Sequence, residues 1–223
     1  MTPQTQPEKH QPQTRGSEIY EGLKARLISH EFRMGDPLRE EDVATWFGAS
    51  RVPARDALKR LESEGLVERV GRKYAVRNYS YDEVEVTYRI RAALEHLAVD
   101  RLVKSARDED LDRIAHVLDR QSGALASSSR AEFSALDADF HMLIAELSQN
   151  SMLVAETRRV LDRVRLIRSN ELERDNGPAA ALADHQRIFA ALARRDGATA
   201  KAELDFHYAT TLRLHEITPT PKA

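Results

Sequence analysis

The sequence predicts a mostly α-helical protein in two parts: an N-terminal helix-turn-helix backed by a small β-hairpin, and a C-terminal bundle made only of helices. Three observations predict it. Between Pro37 and Val67 two short helical patterns meet at Gly48-Ala49. Behind them, two strand-like runs flank Gly71-Arg72. From Tyr81 onward apolar residues recur at helical spacing, with breaks at Asp108, Ser151, Pro178 and Gly197.

Residues 1–16 open with a Pro/Gln-rich stretch without a core-forming apolar pattern, which predicts a disordered tail. Ser17–Phe32 reads as a first helix with Ile19, Leu23, Leu27 and Ile28 on its inner stripe. Met34-Gly35-Asp36-Pro37 is a turn. The next helix sets Val43, Ala44 and Phe47 on one side, and its successor sets Ala54, Ala57, Leu58 and Leu61 at helical spacing. Ser50 is placed to cap that second helix by accepting an orphan backbone N–H. Pro53 falls in its first turn, where a missing N–H does little harm. Gly65 closes it as a C′ glycine.

The solvent side of the second helix begins with Arg51, Val52 and Arg55, with Lys59 and Arg60 behind. Arginines near a helix N-terminus oppose the helix dipole, which makes sense if a polyanion sits opposite. The plain alternative is a solvated basic face. Leu66–Val70 and Lys73–Arg77 form the two runs around Gly71-Arg72, a hairpin that completes a winged helix-turn-helix over residues 17–77. Such a unit presents the N-terminal end of its second helix to the DNA major groove.

Residues 78–80 are a linker. Helices are expected near 81–105, 108–128, 131–149, 151–174, 179–195 and 197–216, enough to enclose one core as a domain over 81–216. Residues 217–223, with two prolines, form a tail.

Composition narrows the class. The chain has 223 residues, 31% charged and 41% apolar, with no cysteine. Disulfides and thiolate metal ligands are therefore unavailable. No apolar run approaches the roughly 20 residues a membrane helix needs, and the N-terminus lacks a signal peptide's apolar core. A cytoplasmic protein with no membrane partner is expected. Residues 1–77 hold 14 Lys+Arg against 12 Asp+Glu, whereas 78–223 hold 20 against 24, so the modest basic excess sits at the helix-turn-helix end.

Three C-terminal helices each place polar side chains where leucine is expected. The helix at 131–149 buries Phe133, Leu136, Phe140, Ile144 and Leu147, and Asp137 and His141 lie in that stripe four residues apart. His185 interrupts the stripe of Leu182, Ile188, Phe189 and Leu192, and His207 is in line with Ala200, Leu204 and Leu214. A buried unpaired carboxylate is expensive. Gathered together, one carboxylate and three imidazoles suit a divalent transition metal. Each histidine could instead be a hydrogen-bonded core residue, and Asp137 could pair with an arginine. Arg91 shares a face with Val84, Tyr88, Ala98 and Leu102 and points inward, where a guanidinium seeks an anionic partner. That partner is either an internal carboxylate such as Glu95 or Asp137, or a ligand.

Residues 17–77 resemble the winged-helix domain of GntR-family bacterial transcription regulators. The resemblance rests on Gly35, Leu38, Glu40, Ala44 and Gly48, the run Ser50-Arg51-Val52-Pro53-Ala54-Arg55-Asp56-Ala57-Leu58, then Leu61, Glu64-Gly65-Leu66-Val67 and Arg72. Glu41 stands where some relatives carry a DNA-contacting arginine, and Lys73 where the wing usually has glycine. Residues 81–216 resemble the FCD effector domain of the FadR-type branch. Here the matches are Arg91-Ala92-Ala93-Leu94-Glu95, Asp137-Ala138-Asp139-Phe140-His141, Asn150, Asp184-His185 and His207.

The resemblance implies a ligand-responsive regulator, usually a repressor, that binds a short palindromic DNA operator as a homodimer. Ser50, Arg51, Val52, Pro53, Arg55 and Arg72 would contact double-stranded DNA, with Arg55 reading a guanine edge. Asp137, His141, His185 and His207 would bind a divalent metal, zinc first, with nickel or manganese as alternatives. Arg91 would clamp a small organic-acid effector against the ion, with Arg163, Arg165 and Asn170 as further candidate contacts. Two rivals remain. One is a metalloenzyme fused to a DNA-binding module, which would want a glutamate beside a ligand histidine as general base; Glu146 is not so placed. The other is a DNA-binding regulator whose metal is purely structural.

Overall fold

A computed structural model of the chain describes residues 15–168 and 177–216. The order is α1 (Arg15–Ile28), β1 (Pro37–Leu38), α2 (Glu40–Trp46), α3 (Arg51–Ser63), β2 (Val67–Val70), β3 (Lys73–Val76), α4 (Tyr81–Ser105), α5 (Asp108–Ala126), α6 (Arg130–Leu147), α7 (Ser151–Ile167), α8 (Gly177–Ala193) and α9 (Gly197–Glu216). The chain divides into two compact units. The first runs to Arg77 apart from Ile28–His30, which group with the second, and the second takes up the chain from Asn78.

In the first unit the expected stripes face one core. Ile19, Leu23 and Leu27 of α1, Val43 of α2, and Ala54, Leu58 and Leu61 of α3 are fully buried. α1 begins at Arg15, inside the stretch expected to be a tail, because the Arg15 guanidinium bonds Glu18 and the Phe47 and Gly48 carbonyls at the end of α2. Gly22 lets α1 approach α2: a Cβ there would lie 2.5 Å from the Phe47 ring. The hairpin closes through Gly71 at φ +64°, with Val70 opposite Lys73 and Val67 opposite Val76. The lysine in the usual glycine position is therefore the first residue of β3, and the wing still turns at Gly71. β1 adds a third strand, antiparallel to β3 in the order β1-β3-β2. It begins at Pro37, the last residue of the turn expected at Met34–Pro37, and two residues have no periodicity to read.

Among its described residues the second unit is a bundle of six helices, α4 to α9. Ser80 of the expected linker is in fact a capping box: its hydroxyl accepts from the Glu83 N–H while Glu83 accepts from the Ser80 N–H at 2.9 Å. α4 packs against α6, α7 and α9, and α6 also packs against α5 and α8. Three helices stop two residues earlier than their patterns suggest. α5, α6 and α8 give way to Ser128, Gln149 and Arg195, each left-handed with φ between +54° and +59°. Non-glycine residues make these turns, so no glycine marks the boundary in the sequence. Asn150 does not end α6 but caps α7, accepting from the Leu153 N–H at 2.9 Å. α7 ends at Ile167; the rest of the helix expected to reach residue 174, Asn170 included, falls outside the described residues, as do residues 1–14 and the tail at 217–223.

Candidate nucleic-acid interface and metal centre

The N-terminal end of α3 gathers Ser50, Arg51, Val52 and Arg55 on its solvent face, with Pro53 half-buried in the first turn. Ser50 sits at the cap position in extended backbone, yet its hydroxyl makes no capping bond, contrary to the expectation from sequence. That exposed hydroxyl remains able to donate to a phosphate. Val52 is 66% exposed, an apolar side chain with no role in the core. Arg72 is exposed at the wing tip. Arg60 does not belong to the basic face: its guanidinium lies 3.5 Å from the Tyr20 ring centroid and faces Glu64.

Both arginines at this end meet carboxylates from the start of α2. Glu40 takes two bonds from Arg55, from Nε and Nη2, each 2.8 Å. Those bonds hold the Glu40 carboxyl below its ordinary range. Glu41 faces Arg51 through a single contact of 3.2 Å.

In the second unit α6, α8 and α9 bring His141, His185 and His207 together, all buried, each offering a ring nitrogen within 4.8 Å of the others. Every ring has its own outer partner on Nδ1. His141 Nδ1 is 2.8 Å from Glu95 Oε2 on α4, His185 Nδ1 is 2.9 Å from Gln121 Oε1 on α5, and His207 Nδ1 is 3.1 Å from Asp184 Oδ2 on α8. Such acceptors keep the proton on Nδ1 and leave Nε2 with a lone pair. Burial, then the Arg91 charge, lowers the His141 pKa to about 4, and burial with the His141 charge lowers His185 well below its ordinary value. The two neutral rings point Nε2 at Nε2 across 3.2 Å. Two lone pairs at that distance repel; a metal ion between them, or one proton shared as an N–H···N bond, removes the repulsion, and three convergent ring nitrogens fit the ion.

Asp137 is placed more ambiguously. Its Oδ2 bonds Arg168 Nη1 at 2.5 Å, the arginine pairing weighed above as an alternative. Its buried Oδ1 has no hydrogen-bond partner among the described residues and lies 3.7 Å from His185 Nε2. Burial raises the Asp137 pKa, but Arg168 and the histidines outweigh it and hold the group ionised. One oxygen is therefore left for the centre.

Arg91 is 1% exposed and has found an internal partner: its Nε donates to Glu95 Oε1 at 2.8 Å, and its guanidinium stacks 4.7 Å from the Tyr208 ring centroid. Burial pushes the Glu95 carboxyl up, but His141 and Arg91 hold it at about 2. Glu95 thus ties Arg91 to a histidine of the centre, one oxygen to each. Arg91 Nη2 is buried and has no hydrogen-bond partner among the described residues.

Sequence comparison then decides the family. Residues 86–210 match the FCD domain, and residues 15–75 match the gntR family of bacterial regulatory proteins. The chain belongs to the GntR family and carries an FCD domain. It is 28% identical over 193 residues to the uncharacterized HTH-type transcriptional regulator YdhC of Bacillus subtilis, covering 86% of each chain. It is 27% identical to the HTH-type transcriptional repressor RspR of Escherichia coli, over 93% of this chain and 90% of that one. Among solved structures, E. coli McbR/YncC aligns with a TM-score of 0.78 at 20% identity, covering 92% of this chain and 98% of that one. A GntR regulator from Rhodococcus aligns at 0.79 and 23%, covering 92% and 99%. The two Bacillus and Escherichia sequences are named as HTH-type transcription regulators, and the solved structures share the mostly helical fold.

The sequence does not show which residues orient the histidines. Gln121 follows Ile114 and Leu118 at helical spacing, so an amide on an inner face was a visible signal. Glu95, four residues after Arg91 on the same buried face, is expected as a partner of Arg91, but nothing in the sequence shows that it also orients His141. Asp184 enters the sequence pattern only as a neighbour of His185, and nothing in the sequence marks Arg168.

Proposed function

We propose that this GntR-family regulator is a ligand-responsive repressor, working in the cytoplasm as a homodimer on a short palindromic operator. It would sense a small organic acid at a divalent-metal centre in its FCD domain. The observation that carries this reading is the pairing of convergent imidazoles with a buried guanidinium that retains a donor unmatched among the described residues. His141, His185 and His207, with Asp137 beside them, would hold the ion, and nitrogen–oxygen ligation suits zinc, nickel or manganese. When bound, the ion supplies a Lewis-acid contact for an acid's oxygen. Arg91 Nη2 is the protein's own anchor for a carboxylate, because a buried charged donor without a partner is costly to leave alone. Glu95 links that anchor to His141 and so couples acid binding to the packing of α4 against α6.

On the DNA side, Ser50, Arg51, Val52, Pro53, Arg55 and Arg72 would face the duplex, with Arg55 reading a guanine and Val52 open to a thymine methyl. Dimerisation is supported by an exposed apolar stripe on α4: Val86, Ile90 and Leu97 lie at helical spacing on the side away from the core. Names among the relatives fit the repressor role, including the gluconate operon transcriptional repressor of Bacillus licheniformis, 30% identical over 59% of this chain. The acid acts only through unequal affinity for the DNA-competent and DNA-incompetent arrangements.

The test is an operator titration with zinc-loaded protein in the presence of small carboxylates. Operator affinity should change with at least one acid, and Arg91→Lys should abolish that response. Unchanged affinity with every acid that calorimetry shows to bind would refute the sensory reading and leave the metal structural.

A further inference from the structure

The two carboxylates that open α2 contact the reading arginines differently. Glu41 makes one exposed contact to Arg51. Glu40 closes a two-bond fork on Arg55, using the Nε and Nη2 edge of the guanidinium, and is itself only 24% exposed. A guanidinium has five N–H donors in one plane. The fork uses two of them on one side and leaves the Nη1 end, with the second hydrogen of Nη2, directed away from Glu40. No other described residue is hydrogen-bonded to that end. A guanine presents O6 and N7 to two parallel donors of this kind.

We propose that Glu40 is a positioning residue for DNA reading: it holds the Arg55 guanidinium side-on so that its terminal edge is ready for a guanine. This rests on the reading of Arg55 as a base contact. An unheld arginine loses about 2 kcal/mol of rotamer entropy when it is ordered; that is roughly thirtyfold in affinity, and the fork makes part of that loss before DNA arrives. It also makes the hold directional, because two bonds fix the plane of the guanidinium as well as its position. The carboxylate has a second consequence. It places a negative charge beside the groove-facing surface, which weakens attachment to any DNA backbone regardless of sequence. Discrimination is thereby raised from both ends: tighter on the right base, looser elsewhere.

The test uses the full chain, its operator selected from random duplexes, and operator versions with each base pair changed in turn. Arg55→Ala should erase preference at one base pair, roughly 5- to 150-fold. Glu40→Gln should erase most of that preference at the same pair while binding unrelated duplexes more tightly. Glu40→Asp keeps the charge but shortens the reach, so it should relax the same preference without the gain on unrelated DNA. Glu41→Gln should tighten binding to all duplexes alike and leave the preference intact. If Arg55→Ala relaxes a base pair and the well-folded Glu40 variants do not, Glu40 has no positioning role. If Arg55→Ala relaxes no position, the reading of Arg55 falls, and the role of Glu40 with it.

Discussion

Replacing Glu95 tests the centre of the FCD domain most directly. Its side chain is fully buried, and its two oxygens serve different cations or donors: Oε1 accepts from Arg91 Nε and Oε2 from His141 Nδ1, both at 2.8 Å. Glu95→Ala would leave the Arg91 guanidinium buried without its hydrogen-bonded counter-charge. Breaking a buried pair from one side costs about 3–5 kcal/mol, a large share of the roughly 5–15 kcal/mol that holds a domain together. Glu95→Gln keeps the shape but not the charge, and its single carbonyl oxygen cannot serve both neighbours as the carboxylate does. Its cost is about 1–3 kcal/mol. Both variants free His141 to take either tautomer, so zinc affinity should fall roughly 10- to 100-fold. The assay is urea unfolding of chelator-treated protein followed by far-ultraviolet circular dichroism, which the bundle helices dominate. Trp46, the chain's single tryptophan, sits in α2 and reports the first unit separately. An Ala variant within about 1 kcal/mol of the parent, well below the 3–5 kcal/mol expected, would refute the buried relay; so would unchanged zinc affinity.

Three further outcomes are expected. Gly22→Ala should destabilise the first unit although alanine favours helix by about 1 kcal/mol, because the new methyl meets the Phe47 ring at 2.5 Å and overpacking costs about 1–3 kcal/mol; Trp46 fluorescence melts check it, and adding Phe47→Leu should restore stability. Metal-free protein should lose stability as pH falls from 6.5 to 4, since the folded state keeps His141 deprotonated down to about 4 while the unfolded chain takes up its proton near 6.5. Glu95 extends the loss below its ordinary 4.5, as its folded value is about 2. Urea midpoints from pH 6.5 down to about 2 test both, and a flat profile from 6.5 to 4 would contradict the burial of the imidazoles. Leu97→Asp, on the exposed stripe of α4, should shift the protein from dimer to monomer in light scattering while its circular dichroism is retained. A persistent dimer would place the interface elsewhere.

The helix-turn-helix and the wing were legible because their signals are local. Apolar spacing, Pro53 in a first turn, and glycines with positive φ at Gly48, Gly65 and Gly71 all act within a few residues. The histidines were legible for a related reason: a polar side chain in an otherwise apolar stripe must be buried wherever the helix docks, as His141, His185 and His207 are. Helix ends at Ser128, Gln149 and Arg195 were not legible, because left-handed residues other than glycine leave no mark in the sequence.

By itself, then, the sequence determined which faces turn inward and which residue types would be stranded there, since helix periodicity depends only on neighbours along the chain. Apart from Arg91 and Glu95, four residues apart on one helix, partners were decided by tertiary packing. Glu40 reaches Arg55 across 15 residues, His141 reaches Glu95 across 46, and His185 reaches Gln121 across 64. Asp137 had several cations within reach of its helix face, and only the docking of α7 gave one of its oxygens to Arg168 and left the other beside His185. Hydrogen bonds and ion pairs act over a few ångströms, so their choice waits until the helices have packed.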